Sequence, residues 1–147
     1  MKKQPDEFKK KVVPIILAGG YGKRLWPISR RTNPKQFLKV FSSKSTFQQT
    51  IERLKGLDFC DPIVVCGDDH RFLVAEQLDE IKVKGRILVE PLSRNTAAPI
   101  AIASLLVEKD KYLLVLSSDH FIENIEYFKN ALASALMLSK ISSALSG

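Results

Sequence analysis

The chain alternates short, continuously apolar runs with longer segments in which apolar residues recur at helical spacing. The runs predict four strands and the longer segments four helices. A strand followed by a helix, repeated in strict turn, is typical of a parallel sheet with helices on both faces, so the sequence predicts an α/β fold of this kind. The predicted strands are 12–18, 62–66, 85–89 and 112–116, and the predicted helices are 45–57, 69–81, 95–109 and 124–140.

The predicted strands are apolar without alternation, as expected when both faces of a parallel sheet are buried. In such a sheet, ligands bind beyond the carboxyl ends of the strands. The binding site is therefore expected in the loops that follow the strands, and three of the four carry unusual polar chemistry. These loops are 19–36, 67–70, 90–95 and 117–120.

Composition indicates one globular domain, since 45% of the 147 residues are hydrophobic and 27% are charged. The net charge of +7 is concentrated at the amino end: residues 1–40 carry eleven Lys and Arg against two acids, and residues 41–147 carry twelve against fourteen. A surplus gathered around one glycine loop favours a small anion such as a nucleotide phosphate. Nucleic acid is not expected as a partner, because no series of aromatic residues for base stacking accompanies the charge.

Cysteine usage and the amino terminus indicate a compartment. Cys60 and Cys66 lack the spacing of a zinc site and fit a reducing cytoplasm. The basic leader 1–11 and the apolar run after it have the outline of a secretory signal, but two acids in the leader and a proline in the run argue against it. No stretch approaches the ~20 apolar residues of a membrane span, so we expect a cytoplasmic protein without a membrane partner.

The loop after the first strand reads LAGGYGKRLWPISRRTNPKQF over residues 17–37. Its glycines leave backbone N–H groups free to approach phosphate oxygens closely. It is not a Walker A loop, because Arg24 stands where the magnesium-binding hydroxyl belongs, and it is not a dinucleotide fingerprint, because Leu25 replaces the third glycine. The cations beside the glycines suit phosphate oxygens.

This loop, together with EPLSRNTAAPIAIA at 90–103, resembles the sugar nucleotidyltransferases, and the LWPxSR…PKQF spelling resembles the mannose-1-phosphate guanylyltransferases in particular. The resemblance implies a Rossmann-like sheet. It also implies that 1–11 is a basic leader and that 12–147 is the amino-terminal half of a nucleotidyltransferase domain. On this interpretation the domain is incomplete.

The resemblance also implies roles for individual residues. Catalytic Arg24 would hold the β and γ phosphates, and catalytic Lys35 would stabilise charge near the α phosphate. The implied nucleotide-binding residues are Ala18, Gly19, Gly20, Gly22, Lys23, Glu90, Arg94, Asn95 and Thr96.

The segment EPLSRNTA, residues 90–97, has two interpretations from chemistry alone. It could be a capped helix start, with Asn95 or Thr96 as the cap. Alternatively, Asn95 could read a base edge, since its amide both donates and accepts hydrogen bonds. The resemblance favours nucleoside recognition, with Glu90 and Asn95 on the base.

An aspartate follows the fourth strand directly in LSSDHFI, residues 116–122. A carboxylate held on a rigid base is a natural ligand for magnesium beside nucleotide phosphates. The resemblance implies that Asp119 binds the metal, so Mg²⁺ is the expected cofactor. The usual family spelling has Pro and a small residue where Ser117 and Ser118 stand here. In GDDH, residues 67–70, Asp68 or the aspartate after it is predicted to cap the following helix.

The implied reaction transfers GMP from GTP to mannose 1-phosphate and gives GDP-mannose and pyrophosphate. The attacking oxygen belongs to a phosphate monoester that is largely ionised at neutral pH, so no general base is required. The residues that the family uses to hold the sugar phosphate do not occur in this sequence. The alternative is therefore a non-catalytic GTP-binding remnant, or a subunit that needs a second polypeptide for the sugar site.

The fourth strand is apolar on both faces, and we expect such a strand to lie inside a sheet. Without further strands it leaves an open edge and uncovered helix faces. The expected partners are therefore another copy of the chain, as a homo-oligomer, or a separately encoded carboxyl-terminal half.

Overall fold

The computed structural model describes residues 10–19, 34–39, 42–90 and 96–145. Its centre is a parallel four-stranded sheet in the order β3-β2-β1-β4. The strands are β1 (Val12–Leu17), β2 (Ile63–Gly67), β3 (Arg86–Glu90) and β4 (Tyr112–Ser117). The helices are α1 (Thr46–Glu52), α2 (Arg71–Glu80), α3 (Ala97–Leu105) and α4 (Ile125–Leu145), with short 3-10 turns at Lys35–Phe37 and Asp68–His70. The predicted α/β fold with a parallel sheet is confirmed.

All eight predicted elements are present, but several end at other residues than predicted. The first helix ends at Glu52, and turns follow it. These turns contain Gly56, which has a φ of +83° that other residues rarely adopt. The third helix stops at Leu105, before the predicted end at 109. Ser45, one of the two predicted caps of α1, is confirmed: it forms a capping box with Gln48.

Helices cover both faces of the sheet, as predicted. On one face, Ile16 and Val64 pack with Phe47 of α1 and Val74 of α2. Val12 lies on the same face of β1 as Ile16 and packs against Leu132 and Leu136 of α4. On the opposite face, buried side chains of β1 and β2 pack against Ala103 of α3. The core thus holds the two central strands between helices.

The expectation that every strand is buried on both faces holds only for the central pair. Every residue of β2 is buried, and so are five of the six in β1. By contrast, β3 and β4 contain no fully buried residue, because each lies at an edge of the sheet and packs against one strand only. The predicted open edge at β4 is therefore present in the described part of the chain.

Exposed apolar side chains accompany the two edges of the sheet and the helices α3 and α4. Val115 of β4 and Val89 of β3 are each 38% exposed, and Leu105 at the end of α3 is 84% exposed. Along α4 the exposed apolar side chains are Ile125, Tyr127, Met137, Leu138 and Ile141. Large exposed apolar patches are rare on isolated monomers, and they often mark interaction surfaces.

The two cysteines differ in a way that thiol labelling can measure. Cys66 is fully buried in β2, and burial, followed by the carboxylates of Glu90 and Asp68, raises its pKa to about 11. At pH 8 only about one Cys66 in a thousand would be a thiolate, the reactive form. Cys60 is only partly buried. We expect a thiol-reactive reagent to modify Cys60 in the folded protein and Cys66 only after unfolding in urea.

The Cys60→Ser variant is the control for this labelling, since it should leave no fast-reacting thiol in the folded chain. Equal native rates for the two thiols would contradict the placement of Cys66 in the core.

Candidate active site

The carboxyl ends of the four strands lie along one edge of the fold. Leu17 pairs with Ser117 across β1 and β4, and Gly67 pairs with Glu90 across β2 and β3. Since neighbouring strands lie ~4.8 Å apart, the end of β3 and the end of β4 are about 14 Å apart, with the glycine loop starting between them. The predicted base residue Glu90 and the predicted metal residue Asp119 therefore stand on opposite sides of the loop that is predicted to hold phosphates.

An ion pair joins two of the predicted catalytic-site residues. The Nζ of Lys35 lies 2.8 Å from Oδ2 of Asp119. The other carboxylate oxygen, Oδ1, accepts a hydrogen bond of 2.5 Å from the hydroxyl of Ser117 and lies 3.7 Å from Nε2 of His120. The structure thus brings together a lysine from the PKQF segment, residues 34–37, and an aspartate that follows the end of β4.

The environment of Asp119 favours its charged form. Burial would raise the pKa of this carboxyl, but the hydrogen bonds from Lys35 and Ser117 and the charges of Lys35 and His120 together lower it. The side chains of Lys35 and Asp119 remain 36% and 33% exposed, so solvent screens the pair and limits its contribution to roughly 1 kcal/mol or less. Asp119 is consequently ionised at neutral pH, as a metal ligand must be.

The short segment that carries Lys35 is held to the sheet by its neighbour. Gln36 is buried, and its Nε2 donates a hydrogen bond of 3.2 Å to the carbonyl of Ala18, the residue after β1. Lys35 itself begins a 3-10 turn that ends at Phe37, whose ring packs edge to face on Phe47 of α1. These contacts fix the PKQF segment beside the start of the glycine loop.

Gln77 of α2 also holds the PKQF segment in place. Its Nε2 donates to the carbonyl of Phe37 at 2.8 Å, and its Oε1 accepts a hydrogen bond of 2.5 Å from the hydroxyl of Ser45. Gln48 donates to the carbonyl of Gln77 at 3.2 Å. All three of these polar side chains are buried, so the loss of one partner would leave a buried polar group unsatisfied.

The turn that carries Asp119 is held by α1. Arg53, at the end of that helix, donates from Nη2 to the carbonyl of His120 at 2.6 Å and to the hydroxyl of Thr50 at 2.9 Å. Both segments of the ion pair therefore rest on α1, since Thr46 at its start donates to the carbonyl of Gln36 at 3.3 Å.

These supporting residues were not predicted from the sequence. A signal existed for Gln77, which interrupts the apolar face that Val74, Leu78 and Ile81 form at helical spacing. A polar side chain on a buried helix face needs a hydrogen-bond partner, so its position predicts a contact, although not which one. No comparable signal marks Arg53, because it follows the last residue of a short helix.

The remaining predicted site residues have mixed outcomes. Ala18 is buried, and its N–H donates to the carbonyl of Val65 at 2.8 Å, so this amide is already occupied. Glu90 ends β3, and Thr96 precedes α3 as its N-cap residue without a capping hydrogen bond from its side chain. Gly19 is exposed at the end of the described stretch after β1. Gly20, Gly22, Lys23, Arg24, Arg94 and Asn95 lie outside the described residues, so their roles stay predictions.

The predicted helix cap at Asp68 or the next aspartate is wrong. The residue before α2 is His70, which makes no side-chain capping bond, and Gly67 precedes the 3-10 turn. The exposed carboxylate of Asp68 instead pairs with the guanidinium of Arg71. The 3-10 turn explains the difference, because it separates both aspartates from the first turn of the α-helix.

Asp119 is the carboxylate that stands beside the start of the glycine loop and could hold a metal ion there. Within 10–19, 34–39, 42–90 and 96–145, no three His, Cys, Asp or Glu side chains form a cluster. Magnesium is commonly held by one or two carboxylates and by the phosphates of its nucleotide, so Asp119 fits as one ligand. Lys35 neutralises that carboxylate, and a metal ion would compete with it for Oδ2.

A cavity of about 580 Å³ lies at the opposite end of the sheet. Residues at the starts of β2 and β3 and after the end of α3 line it, among them Ile63, Arg86 and Val107. None of the predicted site residues is among the lining residues, so this cavity is separate from the edge described above.

Comparisons with known proteins agree with the arrangement of strands. A family model described as nucleotidyl transferase matches residues 13–144. The chain belongs to the nucleotidyl transferase family. The mannose-1-phosphate guanylyltransferase of Klebsiella pneumoniae is 48% identical over 125 residues, which cover 82% of this chain and 26% of that relative. The mannose-1-phosphate guanylyltransferase of Salmonella montevideo is 51% identical over 119 residues, which cover 80% and 25%.

Solved structures of similar fold agree with the sheet. A protein described as mannose-6-phosphate isomerase from Helicobacter pylori superposes with a TM-score of 0.73 at 33% identity, covering 88% of this chain and 47% of that one. A protein described as mannose-1-phosphate geranyltransferase from Thermus thermophilus gives 0.70 at 35% identity, covering 84% and 37%. The resemblance noted from the sequence motifs is thereby confirmed.

The matches cover only part of the length of these relatives. The chain spans about a quarter of the length of the curated relatives it matches. Within the described part of the chain, none of the helices combines the length and the apolar character that crossing a membrane requires.

The buried amide network yields a prediction for stability. Replacing Gln77 with Leu would remove the donor to the carbonyl of Phe37 and the acceptor of the Ser45 hydroxyl, both of which are buried. We expect the free energy of unfolding, measured by urea denaturation, to fall by about 2 kcal/mol. Gln49→Leu is the matched control, since the described hydrogen bonds of the Gln49 amide go to the hydroxyl of Ser42 and the carbonyl of Lys44 and are exposed. Equal losses in the two variants would show that the network does not support the PKQF segment.

Proposed function

We propose that this chain is the nucleotide-binding part of a mannose-1-phosphate guanylyltransferase, which transfers GMP from GTP to mannose 1-phosphate and releases pyrophosphate. The observation that carries the proposal is the 2.8 Å contact between Lys35 and Asp119 at the carboxyl edge of the sheet. This contact places a cation and an ionised carboxylate where the loop predicted to hold phosphates begins. The similarity to guanylyltransferases supports guanine and mannose as base and sugar.

The order of groups along the edge fits an extended nucleotide. The base would lie toward the end of β3, where Glu90 stands, and the phosphates would cross the start of the glycine loop after β1. The metal would sit beside Asp119 at the end of β4. The ends of β3, β1 and β4 lie along one edge, about 14 Å from end to end by strand spacing, which supports this order of groups.

The chain's own residues would position the substrates and neutralise their negative charge. They would not need to supply a general base, because the attacking phosphate of the sugar is already ionised. Arg24 would contact the β and γ phosphates through its planar guanidinium. Lys35 would leave Asp119 and contact the α phosphate, where negative charge accumulates during transfer. Magnesium, when bound to Asp119, would supply charge neutralisation at the phosphates.

The supports on α1 and α2 limit the movement of Lys35 to its side chain. The backbone of the PKQF segment is fixed by Gln36 and Gln77, whereas the Lys35 ammonium is partly exposed and its stem is flexible. An exchange of partners from carboxylate to phosphate therefore requires rotamer changes and no movement of the sheet.

The proposed partners follow from the exposed apolar surfaces. The exposed edge of β4 and the exposed apolar side chains of α4 would be covered by a second copy of the chain or by a separately encoded polypeptide that supplies the sugar site. The reducing environment suggested by two unpaired cysteines fits the cytoplasm.

A second candidate function is nucleotide binding without turnover. The similarity covers about a quarter of the relatives' length, and the described edge at the ends of the strands is the part that would bind the nucleotide. Such a protein would bind GTP through the same edge and would serve as a regulatory or assembly module.

Calorimetric titration with GTP and magnesium tests the nucleotide site. We expect the wild-type chain to bind GTP and the Arg24→Ala variant to lose binding, because the guanidinium is the proposed partner of two phosphates. Asp68→Ala is the control: the Asp68 carboxylate is exposed and, among the described residues, pairs with Arg71. Equal effects of the two substitutions would refute the site assignment.

Release of pyrophosphate in the presence of mannose 1-phosphate then separates the two candidate functions. Turnover by the chain, alone or after addition of a second polypeptide, supports the transferase. Binding of GTP without turnover under both conditions supports the non-catalytic candidate.

The association state tests the proposed partners. We expect the chain alone to elute from a size-exclusion column as a concentration-dependent oligomer, because the exposed apolar side chains of α3 and α4 favour association. Leu138→Glu, on the exposed side of α4, should shift the chain toward monomer. A wild-type monomer of high thermal stability at every concentration would contradict this.

A further inference from the structure

Arg53 is a buried cation whose described hydrogen bonds go only to neutral groups. The residue is 6% exposed, and its Nη2 donates to the carbonyl of His120 and to the hydroxyl of Thr50. No carboxylate within the described ranges forms an ion pair with it. A buried charge without a countercharge is costly, so a side chain of this kind calls for an explanation beyond packing.

The contacts of Arg53 continue along one side of α1. The hydroxyl of Thr50, which accepts from Arg53, donates in turn to the carbonyl of Thr46 at 2.8 Å. The hydroxyl of Thr46 donates to the carbonyl of Gln36. This row of side chains at helical spacing therefore runs from the peptide beside Lys35 to the peptide beside Asp119.

The hydrogen bonds at the two ends of the row differ in strength. At the Gln36 end the bond is a neutral one of 3.3 Å, and Gln36 has a second anchor on Ala18. At the His120 end the bond is 2.6 Å long and charge-assisted, a class roughly twice as strong as a neutral hydrogen bond. The turn that carries Asp119 thus depends on Arg53 more than the PKQF segment depends on Thr46.

We propose that Arg53 is a positioning residue, which fixes the turn after β4 so that the Asp119 carboxylate faces Lys35 and the nucleotide phosphates. It acts through the carbonyl of His120 and does not touch the reacting atoms. The consequence for metal and nucleotide rests on the proposed function, whereas the effect on the turn does not.

Hydrogen exchange of the nucleotide-free chain tests the effect on the turn. The Ser118 amide donates to the carbonyl of Leu17 at 3.1 Å and gives the segment 117–122 a protected reporter. We expect Arg53→Met to speed exchange in this segment about tenfold and to leave the core of β1 unchanged. Arg53→Lys keeps a charged donor and should restore part of the protection, and it also serves if Arg53→Met does not fold.

Lys129→Met is the matched control, because Lys129 also donates from a cationic side chain to a backbone carbonyl, that of Lys55, away from Asp119. It should leave exchange in 117–122 unchanged. An unprotected Ser118 amide in the wild type, or unchanged exchange in folded Arg53 variants, would overturn the proposal. Equally accelerated exchange throughout the sheet would reduce Arg53 to a general stabiliser and would also overturn it.

Binding of Mn²⁺, followed by electron paramagnetic resonance with GTP present, tests the consequence for the site. We expect the Arg53 variants to bind Mn²⁺ about tenfold more weakly, and to change GTP affinity measured without metal less than twofold. Parallel losses of both affinities would contradict positioning of Asp119 in particular. If the wild type binds no GTP, the proposed function fails, and the exchange experiment still decides the role of Arg53.

Discussion

The parallel pairing of β1 with β4 is the constraint on which the candidate site depends. Six residue pairs, from Val12 with Tyr112 to Leu17 with Ser117, fix the register of the two strands. A slip by one residue would turn the side chains of β4 to the opposite face and would move Asp119 along the edge. The contact between Lys35 and Asp119 therefore depends on a register that is fixed along the whole length of the two strands.

Irregular backbone at the edge explains why buried polar side chains surround the site. The PKQF segment lies between β1 and α1 with little regular structure, so its carbonyl groups cannot all find partners in a ladder or a helix. A buried carbonyl without a partner costs free energy comparable to a lost hydrogen bond. Gln77 donates to the carbonyl of Phe37, and Thr46 donates to the carbonyl of Gln36. Side chains therefore make the hydrogen bonds that regular secondary structure would otherwise provide. The same side chains restrict where the Lys35 ammonium can reach.

Sequence patterns predicted the elements well because apolar runs and helical periods report burial directly. The four strands, the four helices and the carboxyl edge as the site follow from that signal. The end of α1 and the start of α2 did not, because a positive φ at Gly56 and a 3-10 turn at 68–70 depend on local geometry that periodicity does not encode. The ion pair joins residues that were predicted separately, for phosphate and for metal, and only the sheet order shows that they meet.

The position of β4 at an edge couples the candidate site to the surface of the protein. Asp119 follows a strand that has one neighbour in the described sheet, and Val115 in the same strand is exposed. Edge strands open locally at a lower free energy than central strands, because fewer contacts are lost. A partner that covered β4 would raise this opening energy and would hold Asp119 more firmly, so association and metal binding should favour each other. Arg53 anchors the same turn from the covered side of the fold, where no partner is needed.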